Sequence, residues 1–93
     1  MKKRWRGGIY EQTVQSLVNI EHVLREAGGD LSHVAVLRIY IKDGANSYEE
    51  QRDIAKALKE KFGDTPPASS WIIVTGLSLP EWLIEIEAHA VLD

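Results

Sequence analysis

The chain has 93 residues, 11 Lys and Arg against 14 Asp and Glu, a net charge of −3 and no cysteine. That charge gives no global support for nucleic-acid binding, and the missing thiols exclude disulfides, thiolate zinc sites, iron–sulfur clusters and a cysteine nucleophile. A hydrophobic content of 44% with 27% charged residues is a globular balance, so the length implies a single domain, 1–93, marginal alone and helped by oligomerisation.

Residues 1–8 read as a basic arm or a remnant strand. Lys2, Lys3, Arg4 and Arg6 are four of the 11 basic residues, and Trp5 among them suggests docking on something apolar. Met1-Lys2-Lys3-Arg4 resembles the start of a signal peptide, but no apolar segment follows. Gly7-Gly8 breaks the chain. From about Tyr10 to Ala27, Val14, Leu17, Ile20, Val23 or Leu24, and Ala27 recur at helical spacing, and Gly28-Gly29 stops that helix. His33 to Lys42 alternates as a half-buried strand, with Ala35, Leu37, Ile39 and Ile41 on one face. Ser47 caps a second helix with Glu50 three residues on. Its stripe is Ile54, Ala55, Leu58 and Phe62, and Gly63 ends it.

After Thr65-Pro66-Pro67, Ser70 to Leu77 and Trp82 to Leu92 read as strands. The turn from Gly76 to Pro80 favours antiparallel neighbours. The longest uncharged run, Thr65 to Pro80, is 16 residues and holds all three prolines. It is too short and too broken to span a membrane. The default is a soluble cytoplasmic protein with no membrane partner.

The order helix, strand, helix, strand, strand predicts an α+β layer with two helices on one sheet face. The other face then carries Val36, Arg38, Tyr40, Trp71, Ile73, Thr75, Glu85, Glu87 and His89. Such a bare apolar patch is most simply covered by other subunits.

No phosphate loop, dinucleotide fingerprint or nucleophile elbow is present. His22, His33 and His89 lie on different elements, so no metal site is indicated. Glu85 and Glu87 share a strand face, roughly 6.5–7 Å apart along the strand. That spacing suits acid–base chemistry, or a solvated edge paired with Arg38.

The run Pro67-Ala68-Ser69-Ser70-Trp71, then Gly76-Leu77 and Ile84-Glu85-Ile86-Glu87-Ala88, resembles the signature of the Rid (YjgF, reactive intermediate deaminase) family. Glu11-Gln12-Thr13, Asn19-Ile20, Leu24, Ala27-Gly28, Leu31, Val34 and Tyr40-Ile41-Lys42-Asp43 agree with the family's first half. The resemblance implies a chorismate-mutase-like (YjgF-type) subunit, a homotrimer, and ligand clefts between subunits. It implies hydrolysis of imines or enamines such as 2-aminoacrylate to 2-keto acids, without metal or organic cofactor. Glu85 matches a cleft position thought to place the water or polarise the imine. Trp71 matches a position facing the cleft, and Tyr40 and Glu87 join it as substrate-binding candidates.

Two departures stand out. Ser69 occupies the place of the family's substrate-gripping arginine, and a serine offers one neutral hydrogen bond and no charge. Arg38 is the candidate replacement. The family also begins with a further pair of strands, so the expectation is either a shortened subunit or a chain that starts earlier than Met1. Three readings follow. The first is a deaminase-like trimer with weakened or lost 2-aminoacrylate activity. The second is a non-catalytic trimer binding a small carboxylate metabolite. The third, a protein acting on RNA, is the weakest because the charge opposes it.

Overall fold

A computed structural model describes residues 7–92. The basic arm with Trp5 lies outside them. Helix α1 spans Ile9–Glu26. Gly8 precedes it, and its backbone N–H donates to the Glu11 carboxylate at 3.0 Å. At the other end Gly28 adopts a φ of +89°. The Gly29 N–H reaches Leu24 O at 2.8 Å and the Gly28 N–H reaches Arg25 O at 3.1 Å. These are the two bonds of a Schellman closure, which needs the left-handed glycine. A short 3-10 turn, Leu31–His33, leads into strand β1, Val34–Lys42.

Helix α2, Tyr48–Phe62, starts at Ser47, whose hydroxyl accepts from the Glu50 N–H at 3.1 Å while Glu50 returns to the Ser47 N–H. The expected capping box is therefore formed. Gly63, at φ +68°, closes the helix. Strands β2, Ala68–Val74, and β3, Ile84–Ala90, complete the fold.

The sheet order is β2-β1-β3. Strand β1 pairs parallel to β2 and antiparallel to β3. The expected pairing of the last two strands with each other is therefore wrong. They are antiparallel in direction, but β1 lies between them, and residues 75–83 cross its end. The physical reason lies in β1 itself. Its Leu37, Ile39 and Ile41 are almost completely buried (1%, 0% and 0% exposed), which favours the central place. The connection through α2 is long enough for a parallel crossover.

The two helices pack on one face of this mixed sheet, against each other and against β1 and β3. The core joins Ile9, Leu17 and Leu24 of α1 to Ile54 and Leu58 of α2 and the inward residues of the strands. Of the expected pair Val23 or Leu24, Leu24 is the buried one and Val23 is exposed; Ala27 and Ala55 differ from expectation in being exposed, and Ala57 is buried instead. Ala35 is exposed too, because the β1–β3 register shifts between Val34 and Val36. The extra residue breaks the alternation there. No helix among the described residues is long and apolar enough to cross a membrane.

Candidate functional site

Register decides which side chains share the uncovered face. Opposite β1, Arg38 pairs with Glu87, Tyr40 with Glu85, and Val36 with His89. Paired residues point to the same side. The expected grouping of Arg38, Tyr40, Glu85, Glu87 and His89 therefore holds.

The β2 assignment does not. Ile39 pairs with Trp71, Ile41 with Ile73 and Leu37 with Ser69. Trp71 and Ile73 lie on the helix side, and Trp71 packs against the core there. Its indole N–H donates to the Ser69 hydroxyl at 3.1 Å. The bare face receives Ser70, Ile72 and Val74 instead, and Thr75 lies past the end of β2. The segment Trp71-Ile72-Ile73-Val74 is apolar at every position, so alternation divides it into two sets without saying which set faces the helices.

The polar cluster forms at the β1–β3 boundary. Arg38 Nη1 lies 2.8 Å from His89 Nε2 and 3.7 Å from Glu87 Oε1. The Tyr40 hydroxyl donates to the same Glu87 oxygen at 3.1 Å. A guanidinium can only donate, so His89 Nε2 accepts and the ring proton sits on Nδ1. Burial and the Glu87 hydrogen bond raise the Tyr40 phenol above its ordinary pKa, and Tyr40 stays protonated as the donor. Both members of the Arg38–Glu87 pair are about half exposed, at 45% and 50%. In the isolated chain the pair is a surface contact of small stabilising value. Arg38 is thus held by Glu87 and His89.

Glu85 stands beside this cluster, half-buried, and accepts from the Ser78 hydroxyl at 3.1 Å. Ser78 belongs to the crossing loop, so that loop and the candidate acid–base residue are tied. A second tie comes from Gln12, buried on α1. Its side-chain oxygen accepts from the Leu83 N–H at 2.8 Å, and its amide donates to Glu81 O and Gly7 O, each at 3.1 Å. Gln12 thus fixes the entry of β3 and with it the carboxylates that follow.

Sequence reasoning placed His89 on the right face but gave it no role. Its contact with Arg38 depends on register. Ser78 and Gln12 had no signal, because Ser78 reaches Glu85 only through the path of an irregular loop and Gln12 acts on Leu83 across 71 positions. No group of His, Asp and Glu that could hold a metal occurs among the described residues. The arrangement offers one guanidinium, two carboxylates, a phenol and an imidazole beside Val36, Ile72 and Val74, with Ser70 and Lys42 on the same face and the Lys42 ammonium donating to Pro80 O.

Comparisons with known proteins agree in outline. A family model described as Endoribonuclease L-PSP matches residues 2–92. A RutC family protein of Pyrococcus abyssi is 35% identical over 85 residues, covering 91% of this chain and 63% of its own length. A Rid-family protein of unknown function from Yersinia pestis has a solved structure with a TM-score of 0.81 and 40% identity. It covers 96% of this chain and 68% of its own. A member of the YjgF/YER057c/UK114 family from Mycobacterium tuberculosis has a TM-score of 0.80 and 36% identity, covering 90% and 68%. The chain thus spans less than two thirds of the length of the Pyrococcus relative.

Proposed function

From the premise that this chain belongs to the Endoribonuclease L-PSP (YjgF/Rid) family, we propose that it is a cytoplasmic homotrimeric protein whose inter-subunit clefts take a small imine, enamine or 2-keto acid metabolite. The observation that carries this reading is the cluster of Arg38, Tyr40, Glu87 and His89 on a sheet face that the chain's own helices leave open. Packing of that face against other subunits would exclude water. It would also turn an exposed ion pair into a strong anion site, since charge-assisted bonds strengthen as the surroundings lose water.

In this reading Arg38 holds the ligand carboxylate, which displaces or shares Glu87. Glu85 acts as the acid–base residue. It takes a proton from the water that adds to the imine carbon and returns one to the nitrogen. Glu85 then passes the proton of the new hydroxyl to the nitrogen, the carbon–nitrogen bond breaks, ammonia leaves and a carbonyl remains. Ser78 orients Glu85. No cofactor enters the scheme.

Ser69 carries no charge, and its hydroxyl already accepts from Trp71. Turnover of 2-aminoacrylate is therefore weakened or lost. Ser69 and Trp71 would bound the cleft only where another subunit meets the β2 edge.

A non-catalytic carboxylate-binding trimer is the second reading, favoured by the contacts that already hold Arg38. Action on RNA, the sense of the family's description, has less support. The candidate face balances Arg38 and Lys42 against two glutamates and so carries no basic excess, and the net charge of the chain is −3.

Calorimetric titration with 2-ketobutyrate tests the site. Wild type should bind, and Arg38→Ala should lose binding at least tenfold while keeping its assembly. Equal affinity in an Arg38→Ala variant of unchanged mass would make Arg38 structural and defeat the assignment.

A further inference from the structure

His89 belongs to the open-face cluster but takes no part in the hydrolytic steps. Its Nε2 is the nearer of two acceptors on one guanidinium nitrogen. Arg38 Nη1 lies 2.8 Å from His89 Nε2 and 3.7 Å from Glu87 Oε1. Only a neutral imidazole accepts there, because a protonated ring has a donor on both nitrogens. The two acceptors are not equivalent. Glu87 also takes the Tyr40 hydroxyl at 3.1 Å, so it keeps a partner when Arg38 turns away. Among the described residues, His89 Nε2 has Arg38 alone.

An incoming carboxylate competes with these acceptors for Arg38. A charge-assisted bond to an anion is roughly twice as strong as one to a neutral acceptor. The contact exchanged is therefore the one to His89, while Glu87 is shared. Nε2 is then left with an unused lone pair beside an anion. A proton bound there turns the ring into a second donor to the same carboxylate.

Charge balance points the same way. The groups on the face of His89 are Arg38, Tyr40 and Lys42 on β1 and Glu85 and Glu87 on its own strand. Strand β2 brings only Ser70, Ile72 and Val74 to this face. Just before β1, His33 Nδ1 accepts the Asp30 N–H at 3.1 Å. Two cations thus stand against two carboxylates. A ligand carboxylate adds one negative charge that nothing in the set offsets. Burying an uncompensated charge is costly, and one proton restores the balance. Histidine is the side chain whose ordinary titration lies within about pH 5–8.

We propose that His89 is a second binding group for the ligand carboxylate, and that the site takes up its anion together with one proton on His89 Nε2. This role rests on the carboxylate site proposed above and adds the regulation of that site by pH. The sign follows by linkage. The bound state holds more protons than the free state, so binding is tightest in mild acid and weakens as the pH rises. The loss approaches about tenfold per pH unit where uptake is complete.

Calorimetric titration with 2-ketobutyrate in phosphate and in Tris, two buffers of unlike ionisation enthalpy, counts the protons. Near neutral pH, wild type should take up most of one proton per site, and its affinity should fall from about pH 6 to about pH 8. His89→Gln keeps an amide that donates but does not titrate. Its uptake should drop to near zero, and its affinity should stay flat over the same range. Nitrogen NMR of the wild-type histidines needs no variant. Adding 2-ketobutyrate near neutral pH should move the His89 ring to its charged form and leave His22 and His33 where they were. Binding without proton uptake overturns the role of His89 and leaves the carboxylate site standing. Uptake that persists in His89→Gln, or a His89 ring that stays neutral in the complex, does the same. No binding of 2-ketobutyrate by wild type anywhere from about pH 5 to about pH 8 overturns both.

Discussion

The two faces of this sheet differ by one residue step along each strand and by almost everything else. Under the helices, Leu37, Ile39 and Ile41 are sealed at 1%, 0% and 0% exposure. Between them, on the opposite side, Arg38 and Tyr40 meet Glu87 and His89 in the open. The centre of the covered face is sealed by the chain's own helices, and apart from Ser69 on β2 its strand side chains are apolar. The open face mixes Val36, Ile72 and Val74 with charges that have already found one another. Burial by the chain's own helices needs only apolar side chains. A face that mixes charges with apolar groups suits a surface that is completed by something else.

Mutation should separate the two faces sharply. Ile39→Ala removes a fully buried side chain and should cost about 2–5 kcal/mol, seen as a lower urea midpoint at every protein concentration. Arg38→Ala, on the exposed side of the same strand, should cost less than about 1 kcal/mol in dilute solution. Equal losses for the two variants would break the contrast, since Arg38 would then be part of the chain's own core stability.

A smaller effect sharpens the comparison on the open face. Burial and the Glu87 bond raise the Tyr40 phenol above its ordinary value of 10.0. The folded value lies above the unfolded one. Its stabilising contribution is therefore complete below pH 10 and is lost as the pH rises through the folded value. Ultraviolet titration should show a late-ionising phenol that disappears in Tyr40→Phe. The Tyr10 phenol, raised chiefly by its hydrogen bond to Glu60, should remain in that variant. If the late component survives Tyr40→Phe unchanged in amplitude, the Tyr40–Glu87 bond is not populated in solution.

Much of this was legible in the sequence because the signals are local. Ser47 with Glu50, and Gly28 after Ala27, mark helix ends through bonds made within a few residues. The alternation from Leu37 to Ile41 put Arg38 and Tyr40 on one face, and Glu85, Glu87 and His89 followed the same rule. Strand β2 resisted that reading because Trp71 to Val74 is apolar on both sides. Its parity was fixed only by pairing Ile39 with Trp71. The order of the strands was hidden for a similar reason, since Gly76 to Pro80 breaks the chain equally well as a hairpin or as a crossing loop. The tie from Gln12 to Leu83 spans 71 positions, beyond any local pattern.

The central claim is that other copies of the chain cover the open face, and mass is its most direct measure. Light scattering on wild type at micromolar concentration should give three times 10.5 kDa. A single species of 10.5 kDa under those conditions would contradict it.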